Sequence, residues 1–342
     1  MDSQDARIPG YPYLRVNRFL SSYRNEVNDP TFDAWLDQLQ NLAIEGWTAE
    51  ISNLPLEERQ KLTASIDTPF FADRSLSLIE ALDYCGDVLR ENDLNSTIER
   101  DALKEKAVVP DEYQTWKRVL GLYPLTALAF KWGIGNWHEE TLEGYRIPLE
   151  DLPVRGELVR FTPAHKSDRL SSTEIADIVS KSSGNLLRIP LPSGPDRQRL
   201  FDHFAPIYEI DVTSENDRMG APVWKSEEYP QIDISKPVVY QHLSHTRAGG
   251  MNLLQLNYTV WFPSRPLKSS FDLLGGHLDG ITWRVTLLPD GTPWLYDTIH
   301  NCGCYHLFFP GPHAEKHEQR ALYREPAFTP QKTLQINLSL IH

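Results

Sequence analysis

The sequence predicts an α+β protein, a helical amino-terminal half followed by a largely antiparallel β-sheet in the carboxy-terminal half. Three observations carry that prediction. Over residues 1–145 apolar side chains recur every three to four positions, the period of a helix with one buried face. From about residue 207 onward, apolar and aromatic runs of strand length alternate with turn residues. Between them "RIPLEDLPVRGELVR" (146–160) is proline-punctuated and extended. A boundary there divides the chain into a helical domain, 1–145, and a β-rich domain, 146–342.

In the helical half, "TFDAWLDQLQNLAIEGW" places Trp35, Leu39 and Leu42 on one face. "DRSLSLIEALDYCGDVLREN" does the same with Leu78, Leu82, Cys85 and Leu89, so Cys85 reads as a small apolar core residue. Two short helices are expected after the boundary. "SSTEIADIVSKSSG" opens with a capping box from Ser171 to Glu174 and closes on a glycine. "PDRQRLFDHFA" begins with a proline suited to a first helical turn. Strands are expected in "PIYEIDV", "PVVYQHLSHT", "NLLQLNYTVWF", "ITWRVTLL", "PWLYDTIHNCGCYHLFF" and "TLQINLSLI".

One hairpin can be registered from sequence. Asp290-Gly291 lies between two apolar-aromatic runs, the signature of a two-residue type I′ turn. That turn pairs Leu287 with Trp294, Val285 with Tyr296, Trp283 with Thr298 and Ile281 with His300. On the opposite face it sets Arg284 against Asp297, an attractive cross-strand pair that independently supports the register. Continued past His300, the same ladder would put Asp279 opposite Cys302 and His277 opposite Cys304. His277, Asp279, His300, Cys302 and Cys304 would then share one face, at the end of an apolar surface carrying Trp283, Trp294 and Tyr296. Those aromatics would form plain core or wall an apolar pocket.

The stretch "HNCGCYH" (300–306) holds two of the three cysteines and two of the eleven histidines. Imidazole, thiolate and carboxylate together suit Zn²⁺ or an iron or copper ion, with His277, Asp279, His300, Cys302, Cys304 and His306 as the candidate ligands. His306 joins only if the chain turns near Gly303. A metal-dependent enzyme acting on a small-molecule substrate is the leading expectation, with Asp279, His277 and Cys304 as its catalytic groups. A thiol hydrolase or transferase is the alternative, with Cys304 as nucleophile, His277 as its base and Asp279 orienting the imidazole. A non-catalytic binding or assembly role is the third reading. Cys302 and Cys304 stand at the distance limit for a disulfide and are expected to be free.

Composition narrows the class. Net charge is −13, and the first hundred residues hold 18 acidic against 9 basic side chains. With no basic run, nucleic-acid binding is disfavoured. The most apolar stretch, "VLGLYPLTALAF", is too short to span a bilayer, which needs about 20 apolar residues. Three cysteines do not make a disulfide framework, and "MDSQDARIPGYPYLRVNRFL" has no apolar leader, so a cytoplasmic setting is expected.

The remaining motifs are weaker. His242 and His245 fall on opposite strand faces, so at most one can join a neighbouring site. His313 and His317 have helical spacing but read as an exposed face, as does His138. Asp217 and Arg218 read as a local ion pair. Arg265, between prolines at a strand exit, reads as solvated, or else as an anchor for an anionic substrate.

Overall fold

The computed structural model describes residues 5–65, 76–110, 123–164, 169–224, 229–266, 275–314 and 327–331. The expected strand at 333–341 and His317 lie outside the described residues. Helices dominate the first part of the chain and a five-stranded antiparallel sheet dominates the rest, so the α+β reading holds. The chain forms two compact units, Asp2–Gln114 and Thr115–His342. This division falls ahead of the expected boundary after residue 145, because the helix before that boundary belongs with the sheet.

The first unit carries the hairpin β1 (Ala6–Ile8) and β2 (Tyr11–Val16), then α1 (Arg18–Ser21), α2 (Asp29–Ser52), α3 (Leu56–Ser65), α4 (Leu78–Asp93) and α5 (Thr97–Lys106). The predicted stripe buries Trp35 and Leu39 on α2, and the Trp35 indole donates to the Leu20 carbonyl at 2.9 Å. On α4 the buried positions are Ala81 and Gly86. Cys85 is only half-buried and Leu89 is exposed, so that face is shallower than its periodicity predicts.

The second unit begins with α6 (Tyr123–Gly144) and β3 (Glu157–Phe161). It continues with α7 (Ser172–Ser182), α8 (Gly194–Phe204) and β4 (Tyr208–Val212), which pairs with β3 as a two-stranded ribbon. A second ribbon follows, β5 (Ala221–Val223) with β6 (Gln231–Asp233). Then come β7 (Tyr240–Ala248), β8 (Met251–Arg265), β9 (Gly276–Leu287), β10 (Pro293–His300) and β11 (Leu307–Pro310), in spatial order β11-β10-β9-β8-β7. Both predicted helices form as read. Ser171 and Glu174 cap α7 reciprocally, and Ser193 caps α8 with a proline in its first turn.

One face of the sheet is apolar. Leu254, Leu256, Tyr258, Trp283, Val285 and Leu287 pack against Ile175, Ile178, Leu200 and Phe201 of α7 and α8. Trp283 and Tyr296 stack at 5.6 Å between ring centres and belong to this core. The other face is polar yet buried: Gln255, Asn257, Thr259, Thr282, Thr286, Arg284 and Asp297 are all inaccessible. They are tied together, with Gln255 donating to Thr286 at 3.1 Å and Thr259 meeting Thr282 at 2.9 Å.

The β9–β10 register agrees with the sequence from Ile281–His300 to Val285–Tyr296, including Arg284 opposite Asp297. The turn that produces it is different. Only Gly291 has a positive φ, +79°, whereas a type I′ turn needs two such residues. The Leu288 amide donates to Thr292 and the Gly291 amide to Leu288, which makes a three-residue loop with glycine in the left-handed position. Leu287 therefore meets Pro293, not Trp294. Trp294 is the extra residue of a bulge, and the longer loop and the bulge cancel.

Gly291 is required twice over, by its φ and by its neighbours. A Cβ there would lie 2.8 Å from Ile175 Cγ2 and 2.9 Å from the Ala176 amide nitrogen. Gly291→Ala is expected to lower unfolding stability by about 1–3 kcal/mol, read as a shifted midpoint in urea denaturation.

Candidate active site

The strand β10 ends at His300. Gly303, at φ +87°, reverses the chain: its amide donates to the His300 carbonyl at 2.8 Å and the His300 amide donates to Cys304 at 3.1 Å. β11 then pairs back on β10, with Thr298 opposite Leu307 and Asp297 opposite Phe308. "HNCGCYH" is thus a hairpin turn, and the extended ladder drawn from sequence does not form. Asp279 pairs with Phe262 of β8 and His277 with Ser264, so neither faces a cysteine across β9–β10. The physical reason is local. Asn301 makes the last contact of the ladder, its amide donating to the Gly280 carbonyl at 2.9 Å and its side chain accepting from Thr282 at 3.0 Å, and the turn closed between His300 and Cys304 then carries the chain away from β9.

The six proposed ligands consequently separate. His277 is exposed and stacks on Tyr229 at 4.8 Å. Cys302 is exposed at the turn tip and Cys304 is half-buried, and neither forms a disulfide. His306 swings to the polar face, where its Nε2 donates to Asp297 Oδ1 at 2.9 Å. Among the described residues, no three His, Cys, Asp or Glu side chains are grouped to hold a metal ion.

Asp279 and His300 do meet. His300 Nδ1 donates to Asp279 Oδ1 at 3.1 Å, and the Gly280 amide donates to the same oxygen at 2.8 Å. Burial pushes the Asp279 pKa up, but the His300 bond and charge, the Gly280 amide and the Arg265 charge outweigh it, and the carboxyl is held below its usual value. An ionised Asp279 accepts only, so it fixes the imidazole tautomer with its proton on Nδ1 and leaves Nε2 as the lone-pair nitrogen. The tilted Tyr305 ring lies 5.1 Å from His300.

The pair opens into a cavity of about 1000 Å³ in the second unit, at the end of the sheet's apolar face. Its floor includes Ile281, Thr298 and Leu307, and its walls include Trp137 of α6, Leu158 of β3 and Ile210 of β4. Trp137 stacks edge-on against Tyr305 at 4.9 Å and also touches Phe328, which explains why α6 groups with the sheet. Trp283, Trp294 and Tyr296 are not part of this lining. Two further polar residues line it, of which Thr298 was not singled out from sequence. The Thr298 hydroxyl is buried without a hydrogen-bond partner. Arg265 is not simply solvated: it is half-buried, lies over the Tyr305 ring at 5.0 Å and donates to the Tyr305 hydroxyl at 3.1 Å.

The other motifs fall outside the cavity. His242 is on the polar face, where burial and the Arg284 charge lower its pKa. His245 bonds the Pro190 carbonyl at 2.7 Å, and burial lowers its pKa. His138 is not a bare surface residue, since it stacks on Phe328 at 4.1 Å. His313 is exposed. Asp217 and Arg218 do not pair with each other. Asp217 accepts from Thr213 and Ser214, and Arg218 bonds Glu157 at 3.2 Å.

Beneath the site lies a second charged group. Asp297, 1% exposed, accepts from Arg284 Nε at 3.0 Å, from Arg284 Nη2 at 2.7 Å and from His306. No family model, curated protein or solved structure matches the chain significantly. No helix among the described residues is long and apolar enough to cross a membrane.

Burial alone would raise the Asp297 pKa, but His306 and Arg284 prevail and lower it. A depressed native pKa stabilises the fold above the unfolded value, about 3.9. That contribution is lost as pH falls through the native value. Asp297→Asn is expected to cost about 3–5 kcal/mol near neutral pH, because it leaves a buried guanidinium without its partner. It should also flatten the acid limb of stability against pH below about 4. Arg284→Met with Asp297→Leu should cost less than Asp297→Asn alone. Urea denaturation across pH reads all three variants.

Proposed function

We propose that the protein is an enzyme performing general acid–base catalysis on a small organic substrate, with the Asp279–His300 pair as its reaction centre. The observation that carries the reading is the 3.1 Å bond from His300 Nδ1 to a half-buried Asp279, which leaves Nε2 without a hydrogen-bond partner among the described residues, at a large cavity. A carboxylate behind an imidazole does two things. It holds the ring in one tautomer and orientation, and it stabilises the imidazolium formed when Nε2 takes a proton. The apolar walls exclude water from the substrate and strengthen that charge pair.

The same geometry would serve a metal-dependent reaction, because a ligating histidine also donates its second N–H to a carboxylate. A cation on His300 Nε2 would then complete its shell with water or substrate. Acid–base chemistry is favoured because no further acidic, imidazole or thiol group joins the pair in a metal-sized cluster among the described residues. The thiol reading loses its base, since His277 stands against Ser264 and Tyr229.

Elemental analysis of untagged protein is expected to give a metal stoichiometry near zero; one equivalent of zinc, iron or copper would overturn the acid–base assignment. A panel of ester, lactone and amide substrates should yield turnover that falls roughly 10²–10⁴-fold in His300→Ala. Asp279→Asn should reduce it too, with ¹⁵N shifts of His300 reporting a changed tautomer. Turnover unchanged by both substitutions would remove these residues from the reaction.

A further inference from the structure

We infer that the cavity takes an organic carboxylate with an apolar body, its anionic group held by Arg265. This deepens the acid–base reading and rests on it for the placement of the reacting end beside His300. Arg265 lines the cavity with Asp279 and His300, close enough for its charge to act on Asp279, yet it makes no ion pair with a carboxylate among the described residues. The other two arginines of the lining are placed differently. Arg160 pairs with Glu209 at 3.2 Å, and Arg155 stands exposed at the rim, away from the half-buried reaction centre.

Arg265 is also preorganised. One Nη is committed to the Tyr305 hydroxyl and the guanidinium plane rests over the Tyr305 ring, which is itself braced by Trp137. The edge that remains is a planar donor fork, the geometry that recognises a carboxylate bidentately. Asp279 forms its ion pair with His300, through the Oδ1 that also accepts from the Gly280 amide.

The rest of the lining fits the body of such a ligand. Leu158, Ile207, Ile210, Phe262, Ile281 and Leu307 make the walls predominantly apolar.

The experiment compares 4-phenylbutyrate with 4-phenylbutyramide, which share the apolar body and differ in charge, by isothermal titration of the full chain. The carboxylate is expected to bind at least about tenfold tighter, as a charge-assisted bidentate contact implies. Arg265→Gln should bring it to the level of the amide without changing the amide. His300→Ala should leave the preference in place. Equal binding of the two probes by the native protein, or a preference that survives in Arg265→Gln, would overturn the assignment. If Arg265→Gln does not fold, phenylglyoxal labelling of the native protein decides. Protection of Arg265 by the carboxylate and not by the amide is the expected result, and equal labelling overturns it. Turnover that depends on His300 without carboxylate preference would refute this inference alone. Carboxylate preference without such turnover would refute the acid–base reading alone.

Discussion

A single buried carboxylate organises the sheet that carries the site. Asp297 has almost no contact with solvent, and a charge in that position is tolerable only when every lone pair is engaged. Arg284 of β9 supplies two of its hydrogen bonds and His306, entering β11, supplies the third. Slipping β9 by one residue would set the carboxylate against Trp283 or Val285, and slipping β11 would draw His306 away from it. The pair therefore specifies register on both sides of β10, through the cost of the alternatives more than through its own net strength.

That constraint propagates to the reaction centre. With Asp297 held against Arg284, His300 falls opposite Ile281 and emerges at the end of the apolar face. With His306 drawn onto Asp297, the five residues between His300 and His306 cannot continue as a strand and must reverse, which Gly303 permits. The reversal carries Tyr305 back toward His300 and places its hydroxyl within reach of Arg265 on β8. A structural ion pair on one face thus positions Asp279, His300 and Arg265 at the cavity on the other.

The two carboxylates are held low by similar partners but in different surroundings. Asp297 is sealed and saturated by an arginine and a histidine, an arrangement that fixes structure. Asp279 is half-buried, is bonded to one histidine, and leaves the far nitrogen of that ring facing a cavity. Acid–base work needs a ring that is oriented on one side and vacant on the other. Only His300 meets both conditions in this pair of clusters.

Much of this was legible in the chain. The helical and β-rich parts, the caps of α7 and α8, the Arg284–Asp297 pair and the stretch Ile281–Val285 against Tyr296–His300 all follow from local periodicity and turn chemistry. Period and charge pairing act between residues that are neighbours along a strand or a helix turn, so a one-dimensional pattern can express them. Even the loop type was not decisive, because the three-residue loop and the Trp294 bulge compensate each other. The site was legible as Asp279 and His300, with Arg265 read as either solvated or an anion anchor. Where β10 ends depends on Asn301 reaching Gly280 and Thr282, and the fate of His306 depends on Asp297 across the next strand. Trp137 and Arg265, 128 residues apart in sequence, meet at Tyr305 only through the packing of α6 on the sheet edge. Residue types and short-range spacing were determined by the sequence; which of them share a cavity was decided by long-range packing, where burial energy rather than local preference selects the partners.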